Sequence, residues 1–194
     1  MAVPQKRNDY RYTYTDYLAW PDEERWELID GVPYDMSPAP SRRHQEISVE
    51  IIRQVSSFLY QRKCKVFAAP FDIRLSEDDY SNDETIYTVV QPDISVFCDP
   101  NRLDDRGGIG APDICVEILS PATAYKDETE KFRLYQKHGV REYWIVNPDL
   151  ETVTLYTLEQ GEYQNPTVYK KRHKFESTVL EGFELDLAAV FPGQ

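Results

Sequence analysis

Two carboxylates stand inside apolar, strand-like runs of the sequence, where an isolated acid is costly. Asp93 lies within residues 89–97 and Glu117 within residues 112–119, and both runs are rich in Val and Ile. A buried carboxylate is tolerated when it is paired or bound to a cation. Oxygen ligands that remain partly hydrated favour Mg²⁺ or Mn²⁺ over Zn²⁺. The pattern therefore predicts a Mg²⁺ or Mn²⁺ site at Asp93 and Glu117.

Alternation along the two runs predicts the direction in which these carboxylates point. In the second run Glu117 shares a face with Cys115, and the opposite face is wholly apolar. In the first run Asp93 shares a face with Ser95. Because alternate residues of a strand point to opposite sides, adjacent strands in a suitable register would bring the two carboxylates within chelating distance.

Further short motifs accompany these two acids in a specific order. Together they resemble the Uma-type family of bacterial endonuclease-like proteins, catalogued as a domain of unknown function within the PD-(D/E)XK restriction-endonuclease-like superfamily. The resemblance covers roughly residues 12 to 191 and implies a metal-dependent nuclease core. The motifs are Glu27-Leu28-Ile29-Asp30-Gly31, His44 ahead of a long helix, Gln91-Pro92-Asp93-Ile94, Val116-Glu117-Ile118-Leu119-Ser120-Pro121, Asp127, Lys131, Tyr135, Gly139 and Glu142-Tyr143-Trp144.

The signature of that superfamily includes a lysine two residues after the second acid, and this chain has Leu119 there. Either the site is inactive or a lysine comes from elsewhere. The resemblance points to Lys131, which shares a helical stripe with Asp127 and Tyr135 at four-residue steps. The alternative for Lys131 is a surface ion pair with Asp127, worth about 0.3–0.5 kcal/mol. We predict that Lys131 is the displaced lysine and that Lys126, off the stripe, is dispensable.

Glu27 and His44 have two interpretations each. The resemblance suggests Glu27 as a third or water-mediated metal ligand, whereas an exposed glutamate at a strand edge is the alternative. His44 is either a site residue or a solvent-facing residue in the first turn of a helix. The predicted catalytic residues are Glu27, Asp93, Glu117 and Lys131, of which Asp93 and Glu117 hold the metal.

Periodicity and turn signals predict the elements that position these residues. Helices flanking a mixed sheet, with a late strand-helix-strand crossover, indicate an α/β restriction-endonuclease-like core with additional β-hairpins. The predicted elements are a small helix at 13–24 capped by Thr13 or Thr15, a hairpin at 26–36 turning at Asp30-Gly31, a helix from a Ser41 cap to about residue 61, strands at 65–69 and 71–75, a helix at 127–138 ended by Gly139, a strand at 142–146, and a hairpin of 152–158 with 163–169.

Composition bounds the partners of the protein. A length of 194 residues predicts a single domain over residues 1–194, with residues 1–9 disordered. The net charge of −12 argues against a strong nonspecific nucleic-acid binder, because such affinity comes from Lys and Arg. Nucleic acid, with DNA in the first place, is nevertheless the partner that the resemblance implies. A homodimer is compatible with the sequence.

Compartment and redox state are predicted from what the sequence lacks. It has no apolar signal core and no run near the ~20 apolar residues of a membrane span, which predicts a soluble, cytoplasmic protein without a membrane partner. The cysteines Cys64, Cys98 and Cys115 show no metal-binding spacing and are expected to be buried, reduced thiols.

Metal-assisted phosphodiester hydrolysis is the function that these observations favour. Asp93, Glu117 and the backbone carbonyl of Ile118 would hold the cation, and Lys131 would orient a water and offset phosphate charge. A catalytically degenerate nuclease fold with a binding or regulatory role is the main alternative, supported by Leu119 and the negative charge. A hydrolase of another phosphoester is a third. Motifs of serine hydrolases, P-loop NTPases and Rossmann enzymes are absent from the sequence.

Overall fold

The computed structural model describes residues 4, 10–21, 24–36, 39–77, 80–121 and 123–192. The predicted disorder of residues 1–9 therefore falls, apart from Pro4, outside the described residues. The strands are β1 (Trp26–Ile29), β2 (Val32–Asp35), β3 (Lys65–Ala68), β4 (Ile73–Leu75), β5 (Thr88–Val90), β6 (Ile94–Phe97), β7 (Leu103–Asp104), β8 (Gly107–Ile109), β9 (Ile114–Ile118), β10 (Glu142–Asn147), β11 (Thr152–Glu159), β12 (Glu162–Tyr163), β13 (Thr167–Lys170), β14 (Lys174–Glu176) and β15 (Glu184–Asp186).

The helices are fewer and flank the strands. They are α1 (Tyr14–Tyr17), α2 (Arg42–Leu59), α3 (Ala124–Lys126), α4 (Phe132–His138) and α5 (Leu187–Val190). A π-helical segment, Asp127–Lys131, joins α3 to α4, and short 3₁₀ turns occupy Asp83–Thr85 and Pro100–Arg102. Within the described ranges, the structure contains no helix with the length and apolar character needed to cross a membrane.

Two sheets and a short ribbon organise the strands. One sheet runs in the order β2-β1-β5-β4-β8-β7, the other in the order β12-β11-β10-β9-β6-β3 with β13 paired to β11, and β14 pairs with β15. Strands β9 and β10 are parallel and are joined by the α3–α4 crossover, as predicted. The mixed sheets with flanking helices confirm the predicted α/β fold class.

The two faces of β9 separate the two main parts of the core. Ile114, Val116 and Ile118 pack with the apolar stripe of α2. Cys115 points to the other side, where it joins Tyr135 of α4 and the first sheet. This confirms the alternation predicted for the second run, and it places Glu117 on the side of α4.

Local signals at the hairpin and at α2 were predicted correctly. Asp30 (φ 49°) and Gly31 (φ 79°) form the two-residue turn between β1 and β2, the left-handed pair expected of a type I′ hairpin. The Ser41 side chain accepts a hydrogen bond from the His44 backbone N–H and caps α2. Thr13 caps α1, but this helix ends at Tyr17 and is much shorter than the 13–24 predicted.

The predicted strand at 89–97 is wrong, because it is two strands in different sheets. β5 pairs with β1 and β4, whereas β6 pairs with β3 and β9. The break falls at Gln91-Pro92-Asp93, where proline removes a backbone donor that a continuous ladder would need. The pairing of β6 with β9 is antiparallel and matches Ile94 with Val116. Extending that register by one residue sets Asp93 opposite Glu117, as the adjacency of the two runs predicted.

The expectation of three reduced cysteines is wrong for two of them. Cys64 and Cys98 form a disulfide, and Cys115 is the free, buried thiol. The bonded pair stands one residue beyond the paired ends of β3 and β6, where Lys65 lies opposite Phe97. Strand pairing thus brings together two cysteines that are 34 residues apart in the sequence.

Cys64→Ser should lower the free energy of unfolding by about 2–4 kcal/mol, because the disulfide restricts the unfolded chain. Urea unfolding of the wild type and the variant under oxidising conditions measures this difference. The control is the same pair of curves in a thiol reductant, where the difference should shrink. Equal stability of the two proteins in both buffers, or a free Cys98 thiol in the wild type by mass spectrometry after alkylation, would contradict the assignment.

Candidate active site

A cleft with a volume of about 690 Å³ opens beside the carboxyl end of β9. Its lining comes from the β1–β2 hairpin, the start of α2, the break between β5 and β6, and the segment from Leu119 into the π-helical turn. The cleft contains three of the four predicted catalytic residues in its lining, Asp93, Glu117 and Lys131. The fourth, Glu27, lies directly behind Lys131.

Lys131 is bound to Glu117 at the floor of this cleft. Its Nζ lies 2.8 Å from Glu117 Oε1, and Tyr135 donates its hydroxyl to the same oxygen at 2.8 Å. Lys131 is 2% exposed and Glu117 3% exposed. The alternative interpretation of Lys131 as part of a surface ion pair is therefore wrong. Its Nζ is also 3.7 Å from Asp127 Oδ1, so Asp127, Lys131 and Tyr135 form an inward stripe as predicted.

The backbone of this stripe differs from the regular helix predicted at 127–138. The helical run begins earlier, at Ala124, and Asp127–Lys131 is π-helical. Such a segment carries an extra residue per turn and is frequent at functional sites. The crossover helix therefore presents both Asp127 and Lys131 as buried side chains towards β9.

Glu27 is fully buried, so the alternative of an exposed strand-edge glutamate is wrong. Its Oε1 lies 2.8 Å from Lys131 Nζ and accepts the Gln91 backbone N–H at 3.0 Å. Its Oε2 accepts from Lys126 Nζ at 2.7 Å. Both oxygens of Glu27 thus accept hydrogen bonds from donors of this chain. Glu27 holds the ammonium groups of Lys131 and Lys126 in place. Lys126, which was predicted to lie off the stripe and to be dispensable, therefore contacts the same glutamate as Lys131.

Asp93 is held by two donors on one oxygen. Its Oδ2 accepts the Ile118 backbone N–H at 2.7 Å and lies 3.2 Å from His44 Nε2. His44 is 8% exposed, so the interpretation of this residue as solvent-facing is wrong. The start of α2 and the end of β9 together orient the Asp93 carboxylate.

The other oxygens of the two acids are left for a ligand. Within the described part of the chain, Asp93 Oδ1 and Glu117 Oε2 accept no hydrogen bond, and both side chains line the cleft. Across the same residues, no three His, Cys, Asp or Glu side chains form a ready metal cluster. Any cation at this place therefore has two carboxylates available, supplemented by backbone or water oxygens.

Burial and neighbouring charges shift the pKa values of the two glutamates in opposite directions. Burial raises the pKa of Glu117 to about 8, and the nearby Lys131 charge only partly offsets this. Burial also acts to raise the pKa of Glu27, but the charges of Lys131 and Lys126 outweigh it and lower the pKa to about 2. Burial lowers the pKa of Lys131, yet Glu117, Glu27 and Asp127 together hold it well above its usual value. Lys131 is therefore a permanent cation and not a general base.

Sequence reasoning missed the contacts of Lys126, His44 and Gln91. The Gln91 side-chain oxygen accepts a hydrogen bond from Arg25, and its side-chain nitrogen donates to Tyr17 and Asp72. Gln91 thus links the break between β5 and β6 to three other parts of the chain. A motif position for His44 and Gln91 was visible in the sequence, but no local signal showed their partners. The four-residue spacing predicted that Lys126 faces away from Asp127, Lys131 and Tyr135. That prediction assumed a regular α-helix, and the π-helical turn changes which side chains face inward.

Glu117→Gln should change how stability depends on pH. Glu117 has a pKa of about 8 in the folded protein against 4.5 in a free chain, so the folded state binds the extra proton. The free energy of unfolding of the wild type should therefore fall, relative to Glu117→Gln, as the pH rises from about 4.5 to 8. Urea unfolding of both proteins in EDTA at pH 5, 6.5 and 8 measures this. A difference that stays constant over that range would contradict the assignment.

Comparisons with known proteins identify the family and the fold of this chain. The family model described as "Uma2: Putative restriction endonuclease" matches residues 14–188. The uncharacterized protein slr1290 of Synechocystis sp. is 31% identical over 144 residues, which cover 73% of this chain and 71% of that protein. A crystal structure described as "a putative nuclease belonging to DUF820", from Anabaena variabilis, matches with a TM-score of 0.72 and 25% identity over 92% of this chain and 97% of its own. The fold and the resemblance expected from the motifs are thus confirmed, and the chain belongs to the Uma2 family of "putative restriction endonucleases".

Proposed function

We propose that this protein is a metal-dependent endonuclease of the PD-(D/E)XK type that hydrolyses phosphodiester bonds in nucleic acid, in the first place DNA. Asp93 and Glu117 would bind Mg²⁺ or Mn²⁺, and Lys131 would replace the lysine that Leu119 displaces. The observation that carries the proposal is the 2.8 Å contact of the buried Lys131 ammonium with the Glu117 carboxylate, reached from the crossover helix. Membership of a family described as restriction endonucleases supports the same reaction class.

The donors around the cleft fit a hard divalent cation. Asp93 Oδ1 and Glu117 Oε2 are carboxylate oxygens without a hydrogen bond from the described residues, and both residues line the cleft. The Ile118 carbonyl is the third oxygen that we assign to the ion. The described lining contains no cysteine, its sulfur being the Met36 thioether, and its carboxylate oxygens favour Mg²⁺ or Mn²⁺. When bound, such an ion polarises a phosphoryl oxygen and acidifies a water.

The protein's own residues then orient and stabilise the reacting groups. Lys131, cationic in its dry surroundings, offsets the charge that develops on the phosphate oxygens and orders the attacking water. Glu27 binds the Lys131 ammonium through Oε1, and its Oε2 forms an ion pair with Lys126. We therefore assign Glu27 as a positioning residue, in place of the metal-ligand role that the resemblance suggested. Asp93 keeps its orientation through His44 and the Ile118 N–H.

The degenerate-module alternative rests on the same structure. Glu117 already accepts hydrogen bonds from Lys131 and Tyr135, and burial raises its pKa to about 8, which disfavours the carboxylate form that a cation needs. A binding module without catalysis would be compatible with that state. Metal titration and turnover assays on matched variants separate the two functions.

Asp93→Asn and Glu117→Gln should each weaken Mn²⁺ binding strongly, because each removes one of the two available carboxylates. Lys131→Ala should leave Mn²⁺ affinity nearly unchanged and lower turnover by about 10²–10³-fold, the usual loss for one preorganised charge. Calorimetric titration measures metal binding, and a nicking assay on plasmid and on single-stranded circular DNA measures turnover.

Lys137→Ala is the matched control, since Lys137 is on the same helix but 53% exposed and paired with Glu77 at the surface. It should behave as the wild type in both assays. Mn²⁺ affinity that is unchanged in Asp93→Asn and Glu117→Gln would refute the metal site. Metal binding without cleavage of either DNA by the wild type would favour the degenerate module.

Glu27→Gln should lower kcat with little change in KM or in Mn²⁺ affinity, because it loosens Lys131 without removing a ligand. The loss should be smaller than that of Lys131→Ala. The pH profile adds an independent readout, since removal of the Glu27 charge lowers the pKa of Lys131 and should move the alkaline limb to lower pH. If Glu27→Gln weakens Mn²⁺ binding as much as Asp93→Asn does, Glu27 is a metal ligand and the positioning role is wrong.

A further inference from the structure

The rim of the cleft carries a tyrosine that is exposed without an evident structural need. Tyr125 is 77% exposed and stands on α3, directly before Lys126. Tyr34 of β2 also lines the cleft, and Lys126 Nζ lies 5.5 Å from the centroid of its ring. Aromatic rings beside a lysine form the kind of surface on which nucleobases stack.

The charges of the cleft do not suit a double helix. Six Asp or Glu side chains and four Lys or Arg side chains line it among the described residues. The cations are also engaged: Lys131 and Lys126 by Glu27, and Arg43 by the Pro148 carbonyl and Glu151. Duplex binding draws its affinity from rows of Lys and Arg along two phosphate chains. The lining offers no such row among its described residues.

The burial of the reacting groups is a second feature that does not suit a double helix. Lys131 and Glu117 are nearly inaccessible at the floor, at 2% and 3% exposure. The cleft volume of about 690 Å³ is that of a site for one small ligand. A phosphodiester reaches such a floor when its nucleotide has left the base stack, as in enzymes that act on extruded or single-stranded nucleotides.

We propose that the substrate is a single-stranded or unpaired segment of nucleic acid, with one base stacked on Tyr125 while the adjoining phosphodiester lies at Asp93 and Glu117. This inference rests on the proposed nuclease function and specifies its substrate class. Every base has a π face, so the contact tolerates sequence differences. Stacking also supplies affinity that does not depend on net positive charge, which suits a protein of charge −12.

The test is binding, measured without turnover. Fluorescence anisotropy, with Ca²⁺ in place of Mg²⁺ or Mn²⁺ so that the acids are occupied while hydrolysis is slow, compares a labelled single-stranded oligonucleotide, the same sequence as a blunt duplex, and a duplex with a single-stranded overhang. We expect the single strand and the overhang to bind more tightly than the blunt duplex. Tyr125→Ala should weaken single-strand binding by about 5- to 100-fold, the range for loss of one stacked base, and Tyr125→Trp should restore it.

Tyr60→Ala is the matched control, because Tyr60 is 75% exposed at the end of α2 and does not line the cleft. It should bind as the wild type. Equal affinity for blunt duplex and single strand, equal effects of Tyr125→Ala and Tyr60→Ala, or no measurable binding would each overturn the inference.

These outcomes are separable from failure of the nuclease proposal. A protein that binds Mn²⁺ and nicks duplex plasmid, but ignores single strands, would keep the proposed function and lose this substrate class. A protein that binds single strands through Tyr125, but never cleaves them, would keep the stacking site and lose the catalytic assignment.

Discussion

The site depends on one buried cation shared by two buried glutamates. Lys131 sits between Glu27 and Glu117 at 2.8 Å from each, with all three side chains almost completely removed from solvent. Burying charged groups is costly, and loss of Lys131 would leave both glutamates without their shared cation. The arrangement is maintained because further donors complete it, namely Lys126 on Glu27 and Tyr135 on Glu117. It connects the first sheet, the second sheet and the crossover helix through electrostatics, in addition to the apolar cluster that contains Cys115 and Tyr135.

The break between β5 and β6 allows one short segment to serve both sheets. The Gln91 backbone N–H donates to Glu27 of the first sheet. Asp93, two residues later, accepts the Ile118 backbone N–H of the second sheet. Pro92 between them has no N–H to donate, so the ladder ends and the chain can change sheets there. The same interruption leaves Asp93 at the edge of the cleft, with one oxygen bound and one available.

A cation lies beside Glu117 although the second residue after it cannot supply one. The position two residues after Glu117 is Leu119, which can carry no charge. A cation nevertheless reaches Glu117 from the crossover helix, because a π-helical turn directs both Asp127 and Lys131 inward. The proposed reaction would require a cation at that place, and in this chain the crossover helix supplies it. The remaining carboxylate oxygens of Asp93 and Glu117 keep the same side of the sheet open to a ligand.

The sequence by itself determined the features that arise from local chemistry. Asp30-Gly31 specifies a tight turn, Ser41 caps α2, Gly139 ends α4 in the left-handed conformation, and alternation along β9 directs Glu117 away from its apolar face. The carboxylates Asp93 and Glu117 were predicted to share a site because charged residues among apolar neighbours need partners, whereas Lys131 was assigned to them by the family resemblance. Only the tertiary structure decided which partners they have. The Cys64–Cys98 bond, the two-sheet split at Pro92, and the contacts of Lys126 with Glu27 and of His44 with Asp93 join segments far apart in the chain. Such contacts depend on strand register and helix placement, which are set by packing of the whole core and leave no signal in the local sequence.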